Sequence, residues 1–314
     1  MITNVPNQSD FEQVAKENLT QSFTLLFRVY ESFIQRDEQE LSDEVSNEEL
    51  WKYNTGTVRT SLILVHQALE GLMKSEICKE SPLLLVDKPK KDWPSLPNSE
   101  NKDFDSLYTI GGEALLNTFC AINTHIVKDA PLIEFIEDVR LKRNQAVHGT
   151  GTPDVSPQFI LNSILKTFTI WFGKDYWHKQ LKQNIYDNPL FGYFDDEFES
   201  ALSFKFLDFA KIIIGKNELS KHLSVNIHSR AYFCPACKRN LENNYEELKS
   251  KWAFLVPNKP NSTNVVCTNC EQSFTVYRMD CGIGDCKGNV LYDDTEDEGT
   301  RVCLTCFEYH EIEE

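Results

Sequence analysis

No apolar run in the chain reaches the roughly 18 residues that a membrane-spanning helix needs, so a bilayer-embedded fold of that kind is not expected. Met1 to Asp10 lacks the basic stretch followed by an apolar one that marks a secretory leader, so the expected location is cytoplasmic. A phosphate-binding P-loop, a dinucleotide fingerprint and a kinase signature are all missing, which removes the motif-based case for a nucleotide-driven enzyme. Positive charge is in deficit. The formal net charge is −16, which disfavours broad attraction to nucleic-acid phosphates, although one electropositive cleft can work on an acidic protein. Cysteine is scarce before residue 230. Only Cys78 and Cys120 occur there, alone in apolar helical stretches, and both read as packed thiols. A cytoplasmic protein keeps its thiols reduced, so a disulfide framework is not expected either.

What is present suffices for two domains. Apolar residues recur at helical spacing from Asp10 to about Gln35: Phe11, Val14, Leu19, Phe23, Leu26, Phe27, Tyr30 and Phe33. After a polar connector (Arg36 to Glu49), a second helix is predicted from about Gly56 to Lys79, with Leu62, Val65, Leu69 and Leu72 toward a core. Ser81 to Asp103 holds four prolines and reads as a long loop, with Lys88, Lys90, Lys91 and Trp93 in it. A third helix, capped by Asp105 or Ser106, is expected to about Val127. Asp129 caps the fourth, which carries Leu132, Ile133, Phe135, Ile136, Val139 and Val147, and Gly149 supplies its stop. Ser156-Pro157 opens a fifth, and an aromatic-rich sixth spans about Asp195 to Ile214. The expected architecture over residues 1–220 is an all-α antiparallel bundle. Helical periodicity fades between Leu219 and Arg230, and residues 230–314 read as a small β-rich, zinc-stabilised module.

The fourth helix closes on Arg140-Leu141-Lys142-Arg143-Asn144-Gln145-Ala146-Val147-His148-Gly149. At about 100° per residue, Arg143 and His148 lie about 140° apart on an ideal helix, whereas Asn144 and His148 share a face. A histidine in the last turn of a helix lies at the negative end of the dipole, which suits acid–base work near neutral pH. Cleavage of RNA by its own 2′-hydroxyl needs a group to take that proton, a group to protonate the 5′-leaving oxygen and a fixed cation for the phosphorane. Arginine, imidazole and asparagine supply this without a metal. The 140° offset requires either that the last turn unwinds at Gly149 to let His148 swing toward Arg143 or that the two act from different chains. One histidine does not easily serve as base and acid at once, and a symmetric dimer that brings two copies together solves that.

With four residues between its arginine and its histidine, Arg143-Asn144…His148 resembles the signature of the HEPN superfamily: arginine, a polar residue, then histidine. The wider phrase LKRNQAVHG (Leu141 to Gly149) and the segment His66-Gln67-Ala68-Leu69-Glu70-Gly71-Leu72-Met73-Lys74 resemble bacterial HEPN domains. The resemblance covers roughly residues 10 to 215. It implies a dimerising helical bundle with a composite, metal-independent endoribonuclease site, in a family with many toxins and antiviral defence effectors. Carried over, Arg143 holds the scissile phosphate, Asn144 positions it and His148 is the acid–base group; Arg140 and Glu70 match no motif position and are neighbours only. The expected partners are RNA, a second copy of the chain, and a protein regulator or trigger. The competing expectation is an inactive HEPN dimerisation domain whose zinc units act as an adaptor for protein or nucleic acid.

Eight of the ten cysteines follow residue 230, as Cys234-x2-Cys237, Cys267-x2-Cys270, Cys281-x4-Cys286 and Cys303-x2-Cys306. Each pair resembles a zinc knuckle, in which a tight turn aims two thiolates at one tetrahedral ion. Sequential pairing gives zinc-ribbon-like units over about 230–277 and 278–310; a cross-brace would pair first with third and second with fourth. Each unit has its own apolar residues, which favours the sequential arrangement. Two structural zinc ions are expected, closed by four thiolates each, with none serving catalysis. The acidic run Asp293 to Glu298 and the tail Glu308 to Glu314 argue against generic RNA binding by this module. His66, His125 and His178 have no partner at metal-ligand spacing, and Trp171, Tyr176 and Trp177 read as packing aromatics.

Overall fold

Leu19, Phe23 and Leu26 recur one helical turn apart and are completely buried, which fixes the inner face of α1 (Gln8–Glu38). That face packs on α3 (Thr55–Glu80), whose Leu62, Val65, Leu69, Leu72 and Ile77 are buried in turn. Ala15 lies against Gly71 and the Ser22 hydroxyl donates to the Ser61 carbonyl at 2.9 Å, so the two helices run antiparallel. A Cβ on Gly71 would stand 3.3 Å from that of Ala15, so glycine permits the close approach. The computed structural model describes residues 1–38, 46–88, 93–94, 100–148, 155–187, 196–242, 249–293 and 299–311.

Two compact units divide the chain, Met1–Phe172 and Gly173–Glu314. In the first, α1 and α3 are joined by α4 (Gly112–Ala121), α5 (Ala130–His148) and α6 (Pro157–Phe172). The caps of α5 and α6 follow the sequence: the Asp129 carboxylate accepts from the Leu132 amide at 3.0 Å and the Ser156 hydroxyl from the Phe159 amide at 3.2 Å. On α5, Leu132, Phe135, Ile136 and Val139 are buried as expected, but Val147 faces out and Ala146 faces in. Trp171 of α6 stacks on Phe119 of α4 with centroids 6.4 Å apart.

Other expectations are corrected. A short helix, α2 (Asn47–Tyr53), forms at the end of the polar connector, capped by a reciprocal Ser46–Glu49 box. The third predicted helix is shorter than expected. The Asp103 carboxylate caps a 3-10 turn (Phe104–Ser106), and Gly112 at φ 54° resets the backbone into α4. Cys120 is exposed on α4 rather than packed, whereas Cys78 is half-buried and burial pushes its thiol up to about 11. Pro82–Leu85 forms a 3-10 turn after α3, and β2 (Lys102–Asp103) pairs in parallel with β1 (Ile2–Thr3) at the other end of the long connection. Lys90, Lys91, Gly149, residues 39–45 of the connector and most of the acidic run lie outside the described residues.

The second unit opens with a helix that the hydrophobic periodicity does not predict, α7 (Tyr176–Asp187), which buries Trp177, His178, Leu181 and Ile185. It packs with α8 (Asp196–Leu219), where Gly215 at φ 78° breaks the helix after Ile214. Then come β3 (Ala231–Tyr232), α9 (Pro235–Glu242), β4 (Ala253–Leu255), β5 (Asn264–Cys267) and β6 (Ser273–Thr275), an antiparallel sheet in the order β3-β4-β5-β6. A second antiparallel sheet contains β7 (Leu291–Asp293), β8 (Thr300–Cys303) and β9 (Tyr309–Glu311). Two polar anchors tie the helices to the first sheet. Asp208 of α8 accepts from Trp252 Nε1 at 3.0 Å and from the Ser250 hydroxyl, and Ser203 donates to the Asn269 side chain. The compositional break near Leu219 to Arg230 therefore falls inside this unit. No helix among the described residues is long and apolar enough to cross a membrane.

Candidate functional site

The polar end of α5 and the facing side of α3 form one candidate site. Arg143 is half-buried and its Nη1 donates to Asn144 Oδ1 at 3.0 Å. Its Nε is buried, with no hydrogen-bond partner among the described residues. Arg140 behaves differently. Its Nε and Nη2 both reach Glu137 Oε2, at 3.0 and 2.6 Å, so its charge is neutralised on its own helix. Lys142 is held over the Phe159 ring at 5.0 Å. Arg143 is thus the cation of this stretch with no carboxylate paired to it among the described residues.

His148 is exposed in the last turn of α5, which stays helical through that residue. Arg143 and His148 therefore project about 140° apart, and the structure does not bring them together within one chain.

A different histidine faces the arginines. His66 of α3 is buried, with 7% of its surface exposed, and its Nδ1 stands 3.8 Å from Glu70 Oε2, one helical turn along. That separation is too long for a hydrogen bond, and Nδ1 has no other partner among the described residues. Burial lowers the proton affinity of His66; Glu70 opposes this, and Arg143 and Arg140 add to it. His66, Glu70, Glu137 and Arg140 line a narrow cleft between α3 and α5, closed at one side by Gly112 and Leu116. Its space of about 10 Å³ admits no more than one water. The sequence holds one signal for this group, the i, i+4 spacing of His66 and Glu70. Their juxtaposition to Arg140 and Arg143 depends on the packing of α3 against α5.

The cysteines form two further sites. Cys234, Cys237, Cys267 and Cys270 cluster in one place and Cys281, Cys286, Cys303 and Cys306 in another, with the sulfurs of each set within 4.8 Å of one another. This is the sequential grouping, not the cross-brace. In the first cluster Cys234–Cys270 and Cys237–Cys267 are 3.7 and 4.0 Å apart; in the second, Cys281–Cys306 and Cys286–Cys303 are 3.6 and 4.0 Å apart. A tetrahedron with metal–sulfur bonds of about 2.3 Å has edges of about 3.8 Å, whereas a disulfide brings sulfurs to about 2.05 Å. The donors fit a tetrahedral ion.

Backbone amides solvate the thiolates, as the knuckle turn requires: Asn269 to Cys267 at 3.3 Å, Gly288 to Cys286 at 3.3 Å and Thr305 to Cys303 at 3.4 Å. Each cluster also has a side-chain neighbour on a sulfur. Asn269 Nδ2 lies 3.9 Å from Cys237 Sγ, and His310 Nε2 of β9 lies 3.2 Å from Cys281 Sγ. Hydrogen bonding among the crowded sulfurs pushes the Cys234 thiol up and the Cys270 thiol down. A divalent cation held there would replace those shared protons.

No protein-family model, curated protein or solved structure matches the chain. What fold and sites define is a mostly helical protein that ends in two small β units, each with a four-cysteine site able to hold a metal ion.

Proposed function

We propose that the chain is a metal-independent endoribonuclease of HEPN type, whose C-terminal units each carry one structural zinc ion. The observation that carries this reading is Arg143. It is half-buried near the end of a core helix, bonded to the adjacent Asn144 and free of any carboxylate partner among the described residues. Such a guanidinium has its charge available for a phosphate.

In the proposed reaction the 2′-oxygen attacks the adjacent phosphorus and the bond to the 5′-oxygen breaks, leaving a 2′,3′-cyclic phosphate and a 5′-hydroxyl. One imidazole takes the 2′-hydroxyl proton and another protonates the leaving oxygen. Arg143 and Asn144 hold the phosphate while charge builds on its non-bridging oxygens. Because α5 is helical through His148, the Arg143 of one protomer works with the His148 of another, and two copies form a composite site. A toxin or defence role, with a protein trigger, accords with this chemistry through the family resemblance. Zinc is the ion that four thiolates in a tetrahedron select, and with all four positions filled it has a structural role.

The test is cleavage of a mixed RNA pool by purified protein with no divalent metal added. Arg143→Ala and His148→Ala are each expected to lower the rate by roughly a hundredfold or more with the helical circular-dichroism signal retained, and mixing the two variants is expected not to restore it, because the mixed dimer keeps a single His148 imidazole. Cleavage that persists unchanged in both variants rules out the assignment. A folded wild type without cleavage points instead to a dimerising adaptor.

A further inference from the structure

The reaction above needs an arginine held in one geometry, and the residues around Arg143 include a histidine that the motif does not contain. His66 is more than nine-tenths buried, with Nδ1 unpartnered among the described residues. It borders the same cleft as Glu70, Glu137 and Arg140. The groups around it have opposite signs: Glu70 on its own helix, and Glu137, Arg140 and Arg143 on α5, with Glu113 of α4 acting on Arg140 from the other side. Glu137 is already bonded to Arg140, so the least compensated charges near the imidazole are Arg143 and Glu70.

We propose that His66 is a positioning residue of the Arg143 site: its buried imidazole, which shares a cleft with Glu70 and Arg140, steadies the Arg143 guanidinium and takes up a proton when a phosphate ester binds there. This rests on the ribonuclease reading for the nature of the ligand. The cleft is too small for a phosphate, so the anion sits on the outer side of Arg143 and His66 acts through the guanidinium.

The electrostatics give the direction. In the free protein the two cations and burial oppose a proton on His66, and only Glu70 favours it. A phosphate at Arg143 cancels the larger of the two cationic influences on His66, and Glu70 then prevails. Proton and anion binding are thus linked, each strengthening the other. Affinity for the anion is expected to grow as pH falls between the two midpoints of His66, by up to about tenfold per pH unit for one linked proton.

The experiment uses the full-length, zinc-loaded chain with carbon-13-labelled histidine, and the His66 signal is assigned by its loss in His66→Gln. The probe is a short 2′-O-methyl oligonucleotide, which cannot be cleaved. The expected results are a His66 midpoint below that of free imidazole, a higher midpoint with the oligonucleotide bound, and a higher midpoint in free Arg143→Ala. Oligonucleotide affinity should depend on pH in this window in wild type and far less in His66→Gln, a difference that a purely structural role does not produce. An unchanged midpoint in Arg143→Ala, or equal pH dependence of binding in wild type and His66→Gln, overturns the proposal. If the oligonucleotide does not bind, the ribonuclease reading fails. Inorganic phosphate then serves as the probe, and a His66 midpoint that ignores both phosphate and Arg143→Ala overturns the positioning role as well.

Discussion

At the scale of single residues, the second metal site depends on Gly288. A Cβ there would lie 2.6 Å from Cys303 Sγ and 2.8 Å from Thr305 Cβ, too close for either. Gly288 also donates its amide to Cys286, so the turn cannot shift without losing a thiolate contact. Gly288→Ala is expected to drop bound zinc from two ions per chain to about one, as read by metal analysis of folded protein; two retained ions would show that the knuckle can yield. His310 presents a milder case. Its Nε2 stands 3.2 Å from Cys281 Sγ, and a neighbour that bonds a ligand and orients it tunes affinity by about 10–100-fold. His310→Ala is expected to weaken the second zinc by at least tenfold in chelator competition and to leave the first unaffected. Neither residue stands out in the sequence, where a glycine two positions after Cys286 and a histidine four after Cys306 carry no pattern of their own. The cysteines do, because a knuckle's spacing is local. The Arg143–Asn144 hydrogen bond joins adjacent residues and is local in the same way. His66 is not, because only the packing of α3 on α5 sets it beside Arg143.

At the scale of elements, α7 shows how a buried polar residue ties pH to stability. His178 is wholly buried between α7 and α8, with Nε2 3.1 Å from the Ser203 carbonyl, and burial pulls its pKa down to about 3. An unfolded chain protonates this imidazole near pH 6.5, whereas the folded one does not. The depressed folded value means that the stability tied to His178 is fully present above about pH 6.5 and is lost as pH falls toward 3. Melting followed on α7–α8 between pH 6.5 and 5 should fall by roughly 1 kcal/mol per pH unit in wild type, and less steeply in His178→Gln; equal slopes would assign the acid loss to thiolate protonation at the metal sites. The element also marks what periodicity leaves out. Trp177, Leu181 and Ile185 recur every four residues, yet the polar positions between them dilute the stripe. In α2 the signal is Ser46-x-x-Glu49, a capping box that the acidity of its surroundings conceals. The long helices α1, α3, α5 and α6 are legible because each buries a wide stripe.

At the scale of the whole molecule, composition and packing draw different lines. The sequence changes character near Leu219, but Asp208 and Ser203 of α8 bond to Trp252, Ser250 and Asn269 beside the first cysteine site, and Lys182 of α7 donates to the Asn269 carbonyl at 2.7 Å. Asn269 lies between two ligands, Cys267 and Cys270, so α7 and α8 share the fate of the metal. The magnitudes make this decisive. Structural zinc contributes an apparent 10–16 kcal/mol, whereas domains keep a net stability of about 5–15 kcal/mol. Removing the ions should therefore unfold Gly173–Glu314, helices included, and leave Met1–Phe172 with its own core. A strong chelator is expected to abolish one of two melting transitions and to make α7 and α8 susceptible to protease, while a fragment near residues 1–172 survives digestion. A chain truncated after Ser220 carries α7 and α8 without Trp252 or Asn269, and should be trimmed back to the same point. If residues 1–220 resist protease as one body, the helices fold with the first unit and the packing boundary drawn after Phe172 has to move.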